Sequence, residues 1–367
     1  MPTHTSRPEQ GTEYHCPPMP APHVSFHVLV PGLLAPLRRR RAAGVPVPEA
    51  PGLAALVARS RVRTGRPEPV ERAAARLAGL ACKTDPPVGA VRRLGLGAVP
   101  DDVSWMAATP VHIRPDLNGA VLFEGPELAI TDAEARALCE AFDAHWSAEG
   151  LHLEPTVPAH WHLRLPRGEP PQTTPLEQVR GGDPFPALPG GPRKSFWWRV
   201  LNETQMLFHQ HPVNRGREAH GRPTLNALWL WGAGRLPVST PRPVRVLSHD
   251  PFLLGLARLH PGGRAAPLPE DPARWIGGAT EQAWWIHLDA LDRPSAYDDP
   301  PAWEAALQQL DQAWFVPLAS ALRRGRLPGL VLLDPPGGLR LEARPGRWRG
   351  WWGNARWAAR LLEGADR

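Results

Sequence analysis

Apolar positions recur along this chain at two spacings. From residue 24 the run SFHVLVPGLL reads as a buried strand closed by a Pro-Gly turn. PGLAALVAR at 51–59 and VERAAARLAGL at 70–80 then carry apolar residues at helical intervals, a β-then-α opening. Residues 111–113 and 120–123 predict short strands, and Thr131-Asp132-Ala133-Glu134 is a capping box opening a helix. That helix sets Ala135, Leu138, Phe142 and Trp146 on one face, while HWHLRL at 160–165 alternates like a strand. Residues 166–195, dense in Pro, Gly and Thr, read as a loop. A helix then ends near Pro212, VNRGREAHGRP reads as a polar turn, and a strand over 226–231 runs into Gly232-Ala233-Gly234. The last third alternates: strand VRVLS, helix PFLLGLARL, strand AWWIHLDAL, a long helix over 301–324, strand GLVLL. Trp303, Leu307, Leu310, Trp314 and Leu318 form a core stripe in the long helix, which Pro317 should kink or end.

Strand and helix in alternation predict a parallel sheet with crossover helices, and strand-strand-helix-strand predicts an α+β module. The expected organisation is a disordered leader at 1–22, an α/β core from 23–104 and 236–367, and an inserted α+β module at 105–235. In and just after this leader the irregular spacing of His15, Cys16 and His23 argues against a metal site.

Composition narrows this picture. The 47 prolines and 34 glycines among 367 residues imply many turns, but 42% apolar residues and 16 tryptophans can build a core. The formal charge is +6, yet all but two of the 42 basic residues are arginine. With Ala, Pro and Gly also abundant, GC-rich codon usage accounts for the basic balance without a polyanionic partner. Cys16, Cys82 and Cys139 form no disulfide framework or paired metal motif, which fits a reducing cytoplasm. The apolar run 24–37 is broken by Pro31, Gly32 and Pro36 and precedes its arginine cluster, the wrong order for a secretory signal and too short for a membrane span.

NETQMLFHQHPVNRGREAHGRPTLNALWLWGAG at 202–234 is the most informative stretch. It resembles the h-P-V-N-x-x-R…G-x-x-x-x-N-x-x-x-x-x-G-x-G signature of the archaeal-type, cofactor-independent phosphoglycerate mutases, and more closely their bacterial relatives, regulatory proteins of the RpfE type. His211, Pro212, Val213, Asn214, Arg217, Gly221, Asn226, Gly232 and Gly234 fall in register. The resemblance implies an alkaline-phosphatase-like fold. It also implies two divalent metals, Mn, Zn or Mg, held by Asp and His at strand ends, and a serine that carries the phosphoryl group.

Most of that machinery is absent from the sequence. Where the family has acids after the first strand, this chain reads Val30-Pro31-Gly32-Leu33, and no Gly-Ser pair follows the 51–59 helix. Asp292 and Asp334 are the residual metal candidates, and neither is followed by the expected histidine.

His211, Asn214, Arg215 and Arg217 suit an anionic ligand, or else cap and solvate a turn. Asn226 shares their register. Gly232 and Gly234 suit a phosphate or a tight turn, and His112 and Arg114 a cleft or a strand edge. His287, Asp289 and Asp292 invite a metal, or a solvated strand end. The tryptophans and arginines of 344–360 suit single-stranded nucleic acid, a membrane surface, or a terminal helix docked on the core.

The expectation is a catalytically degenerate mutase-like protein, regulatory or ligand-sensing, cytoplasmic, without cofactor, binding a small phosphorylated or carboxylate metabolite. An active metal-dependent mutase or phosphatase with atypical ligands is the alternative. A nucleic-acid-associated protein ranks below it, because the arginines are dispersed.

Overall fold

The computed structural model describes residues 26–80, 85–117, 119–168, 170–278, 283–345 and 356–363. The leader 1–22, Cys16, Cys82, Trp348, Trp351 and Trp352 lie outside them. The described strands are β1 (Phe26–Leu29), β2 (Ser60–Thr64), β3 (Trp105–Asp116), β4 (Gly119–Phe123), β5 (His152–Val157), β6 (His160–Arg164), β7 (Ala227–Gly234), β8 (Arg245–Leu247), β9 (Arg264–Ala266), β10 (Trp284–His287), β11 (Leu330–Asp334) and β12 (Leu339–Ala343).

One seven-stranded sheet, ordered β2-β12-β11-β1-β10-β8-β9, collects strands from both ends of the sequence. Its five strands from β11 to β9 are parallel and joined through helices, so the fold is α/β. This matches the expected parallel sheet with crossover helices, to which the structure adds an antiparallel edge. The β11–β12–β2 edge is antiparallel, because the tight turn between Asp334 and Leu339 leaves no room for a crossover helix. The second sheet uses only strands between residues 105 and 234. Twelve-residue β3 lies at its centre, paired with β4, β6 and β7, and β5 lies beyond β6.

Alternation along β1 shows how the layers form. Phe26, Val28 and Val30 enter a core beneath the helices Pro51–Ala58, Pro300–Leu310, Val316–Arg323 and Arg356–Glu363. Leu29 points the other way, into a second core shared by the two sheets and the helices Val88–Gly95 and Pro251–Arg258. A third core lies under the helices Asp132–Trp146 and Lys194–Gln210 and contains Ala135, Leu138, Phe142 and Trp146, the stripe read from the sequence. Trp357 docks in the first core, as expected of a terminal helix.

The prolines have a local function. Pro51, Pro212, Pro251 and Pro300 open helices, where the missing N–H costs nothing. The long helix is interrupted by a π-turn at Asp311–Phe315 just before Pro317, which accommodates the carbonyl that Pro317 cannot bond. Inside that turn the Asp311 carboxylate accepts from Gly52 and Leu53 N–H (3.0 and 2.7 Å), capping a helix some 260 residues earlier in the sequence. The segment read as a polar turn after Pro212 is instead the helix Pro212–Ala219. His211 caps it by accepting from Val213 N–H, a role for which histidine is an uncommon choice. No described helix is long and apolar enough to cross a membrane.

Candidate functional site

The 202–234 signature is built into the packing. Asn214 is buried; its amide nitrogen donates to the Phe208 and Leu225 carbonyls (2.8 and 3.0 Å) and its oxygen accepts from Leu225 N–H (2.8 Å). Arg217 has no exposed surface. Its Nε donates to Pro223 O (2.6 Å), one terminal nitrogen to Glu134 (3.0 Å), and the other to Leu128 O. Burial lowers the Arg217 pKa, and the Glu134 carboxylate opposes that loss. Glu134 closes the capping box of its own helix and also meets Arg222. Asn226 mimics a strand partner, accepting from Ile113 N–H (2.8 Å) and donating to Ile113 O (2.9 Å). Gly232 sits at φ +61°, where a Cβ would lie 2.4 Å from Val88 Cβ, and Gly234 abuts Pro87. Close approach of helix to strand explains these glycines; both lie away from the lining of the cleft described below. The polar atoms of Asn214, Arg217 and Asn226 are thus bonded within the protein, and Gly232 and Gly234 are accounted for by packing.

The residual metal candidates are also engaged internally. Asp334 is fully buried at the end of β11. One carboxylate oxygen accepts from Gly32 and Gly337 N–H (both 3.2 Å) and the other from Leu34 N–H (2.7 Å). Burial pushes its pKa up to about 6 while those amides pull it down. It thus holds the Val30-Pro31-Gly32-Leu33 turn from across the sheet. Asp292 forms an ion pair with Arg180, whose Nε lies 2.9 Å from Glu124. Burial works against the Arg180 charge, but Asp292, Glu124 and Glu177 outweigh it and raise its pKa. A fixed guanidinium beside Asp292 repels a divalent cation. Asp289 is exposed, and His287 bonds Ser248 (3.2 Å). Among the described residues no group of three or more His, Cys, Asp or Glu could hold a metal ion. The described side chains do not fit the two-metal centre that the sequence resemblance implies.

His112 and Arg114 lead elsewhere. They line a cavity of about 930 Å³ where β3, β4 and the turn after Gly221 face the segment 293–302 of the core. His112 Nδ1 donates to Thr224 O (2.9 Å), leaving Nε2 as an acceptor. Phe123 and Tyr297 stack across this seam with centroids 5.6 Å apart and planes 2° from parallel. The Arg114 guanidinium lies 4.9 Å from the Phe123 ring centre and that of Arg293 lies 4.8 Å from Tyr297. Arg293 also grips both oxygens of Glu127, through Nε (2.7 Å) and a terminal nitrogen, and donates to Glu124 O (2.7 Å). The cleft thus presents stacked arginines on aromatic supports, a geometry suited to oxyanions.

Over about a third of its length the chain aligns with curated enzymes. It is 31% identical over 115 residues to the 2,3-bisphosphoglycerate-independent phosphoglycerate mutase of Methanosarcina barkeri, covering 30% of this chain and 29% of that protein. It is 28% identical over 129 residues to a probable enzyme of the same name from Geobacter sulfurreducens, covering 35% and 32%. Over that stretch this chain is similar to these phosphoglycerate mutases. The aligned stretch spans less than a third of those two relatives' own length. A cofactor-independent phosphoglycerate mutase from Thermoplasma acidophilum superposes with a TM-score of 0.43 at 16% identity, covering 93% of this chain and all of that one. No protein-family model matches the chain.

What sequence reasoning missed is the set Phe123, Glu127, Arg180, Arg222, Arg293 and Tyr297. These residues are scattered over some 170 positions and share no spacing. Only the fold brings them together. Arg180 is the most consequential of them, since it joins Glu124 of β4's end to Asp292 of the core. Nearby Glu177 is pushed well above the usual carboxylate range by burial, with Glu71 and Asp292 adding to the shift. Glu71 is raised mainly by burial, and Arg92, 3.2 Å away, opposes it.

Proposed function

We propose that this protein is a catalytically degenerate phosphoglycerate-mutase-like protein of the RpfE regulatory type. In this reading it senses a small phosphorylated or carboxylate metabolite in the cytoplasm and needs no cofactor. The observation that carries the reading is the state of the two residual carboxylates. Asp334 accepts three backbone N–H groups and Asp292 faces Arg180, so neither is free to ligate a metal. The absence of acids at Val30-Pro31-Gly32-Leu33 supports it further.

The ligand site moves from the motif to the cleft. His112, Arg114, Arg222 and Arg293 line it, and Arg114 presents its charge from the exposed end of β3. A nucleic-acid partner ranks last, since the cavity is bounded by Glu124, Glu127 and Asp299 as well as by arginines.

The deciding experiment is a coupled assay for interconversion of 3- and 2-phosphoglycerate with Mn or Mg added. No turnover is expected. Turnover that disappears in Asp292→Asn or Asp334→Asn would establish an active enzyme with atypical ligands instead. A melting shift with 3-phosphoglycerate that is lost in Arg114→Ala would support the sensing role.

A further inference from the structure

The turn Pro126–Leu128 crosses the rim of the cleft and places one carboxylate inside it. We propose that Glu127 is a resident anion: its carboxylate occupies the guanidinium fork of Arg293 and is exchanged for the oxyanion of an incoming ligand. This rests on the cleft reading above and adds to it how the site is regulated.

Three features support the exchange. First, the contact has the form a ligand would take. Arg293 meets both Glu127 oxygens, the two-pronged arrangement that guanidinium makes with any carboxylate or phosphate bearing two oxygens on one side. Second, the two partners are held unequally. Arg293 is anchored independently of Glu127, by its bond to Glu124 O and by the Tyr297 ring beneath it. Tyr297 is itself fixed by the Phe123 stack and by Glu124 N–H donating to its hydroxyl (3.2 Å). Among the described residues Glu127 bonds no other side chain, and its own is 63% exposed against 28% for Arg293. Water already competes for the carboxylate, so replacing it is inexpensive, and the fork stays in place when it leaves.

Third, the turn is fastened only at its base. Leu128 is buried and its carbonyl accepts from Arg217, so displacement of Glu127 moves the tip of the turn and leaves its root on the buried signature. The preceding Gly125 is at φ +92° and the following Ala129 at φ +42°, a left-handed conformation that alanine adopts at a cost. A turn held this way has a reason to relax when its tip is freed. In the released state Arg293 keeps only the Glu124 carboxylate, 3.5 Å from a terminal nitrogen, as its counter-charge, in a cleft that Arg114 and Arg222 also line. The ligand class is a small oxyanion, carboxylate or phosphate monoester, carrying one group for Arg293 and a second negative or polar group for Arg114, Arg222 or His112 Nε2.

The test is calorimetric titration of the full chain at low ionic strength with 3-phosphoglycerate, which carries both groups, and with inorganic phosphate and acetate, which separate them. Glu127→Gln keeps the side chain's size and removes its charge. Its affinity for 3-phosphoglycerate should rise about two- to fivefold over wild type, the range an exposed ion pair commands. Arg293→Ala should abolish the gain. Saturating 3-phosphoglycerate should also speed amide hydrogen exchange at Leu128 and Ala129. If wild type binds and Glu127→Gln binds equally or more weakly, the exchange is wrong while the cleft remains a site. If neither protein binds any of the three probes, both the exchange and the cleft reading fall.

Discussion

Two arginine–glutamate pairs in this protein use the same chemistry for opposite ends. Arg217–Glu134 ties the signature to the capping box at Thr131, with the guanidinium unexposed and all three of its nitrogens donating to the protein. Arg293–Glu127 lies on the rim of a large cavity, and one partner is mostly solvated. The buried pair contains the arginine of the spaced signature, and the open pair has the accessible chemistry. Spacing in a motif can therefore record a packing solution as readily as a ligand contact. Both guanidiniums have all three nitrogens bonded; what distinguishes the pairs is that only the rim pair's carboxylate is mostly exposed to solvent.

The largest expected effect separates the pairs directly. Arg217→Ala strips the side-chain donor from the buried Leu128 and Pro223 carbonyls and leaves Glu134 only Thr131 and Arg222, and should cost about 3–5 kcal/mol of stability in urea denaturation. Arg293→Ala should cost under about 1 kcal/mol, because Glu127 is solvated already. If the two variants unfold at the same denaturant concentration, the contrast between them collapses.

Asp334 gives an intermediate effect with a pH signature. Asp334→Asn opposes an amide N–H₂ to one or more of the three backbone donors and should cost about 1–3 kcal/mol. Its folded pKa of about 6 stands above the ordinary 3.8, so the native state holds its proton longer than the unfolded chain. Wild-type stability relative to Asp334→Asn should be greatest below about pH 4, fall as pH rises to about 6, and stay level above that. His27 works the other way. Burial, helped by Arg340, lowers its pKa to about 4, so its contribution is full above pH 6.5 and is lost as the pH falls toward 4. Comparing pH profiles of Asp334→Asn and His27→Gln separates the two.

Gly232→Ala should destabilise by about 1–3 kcal/mol, since the new methyl meets Val88 and the backbone is left-handed there. The smallest structural effect is expected for Arg114→Ala, within about 0.5 kcal/mol by thermal melting, with a clear loss of oxyanion affinity. A large loss of stability in this variant would make Arg114 a packing residue like Arg217.

Much of the fold was legible because the signal was local. The capping box at Thr131–Glu134, the stripe on the Asp132–Trp146 helix and the alternating last third each follow from spacing within a few turns of chain. Pro212–Ala219 was misread because Asn, Gly, Arg and Glu carry little apolar periodicity; its helix is held by the His211 cap and by two buried polar side chains, Asn214 and Arg217. The antiparallel edge was missed because LRLEA at 339–343 and SRVRT at 60–64 are short and half-charged. The site was less legible than the fold. His112 and Arg114 were found on a strand adjoining the module, but Arg293 and Tyr297 become relevant only when the two sheets meet.

The central place of β1 has a consequence for biosynthesis. Its two neighbours, β10 and β11, begin about 250 and 300 residues later in the sequence. At ribosomal rates of 5–20 residues per second, roughly 15–50 s pass before β10 even exists. During that interval FHVL emerges with both edges unpaired, while the strands between residues 105 and 234 can already find one another. The nascent chain therefore exposes an apolar strand seeking partners for most of its translation, and chaperone capture or aggregation should act there first.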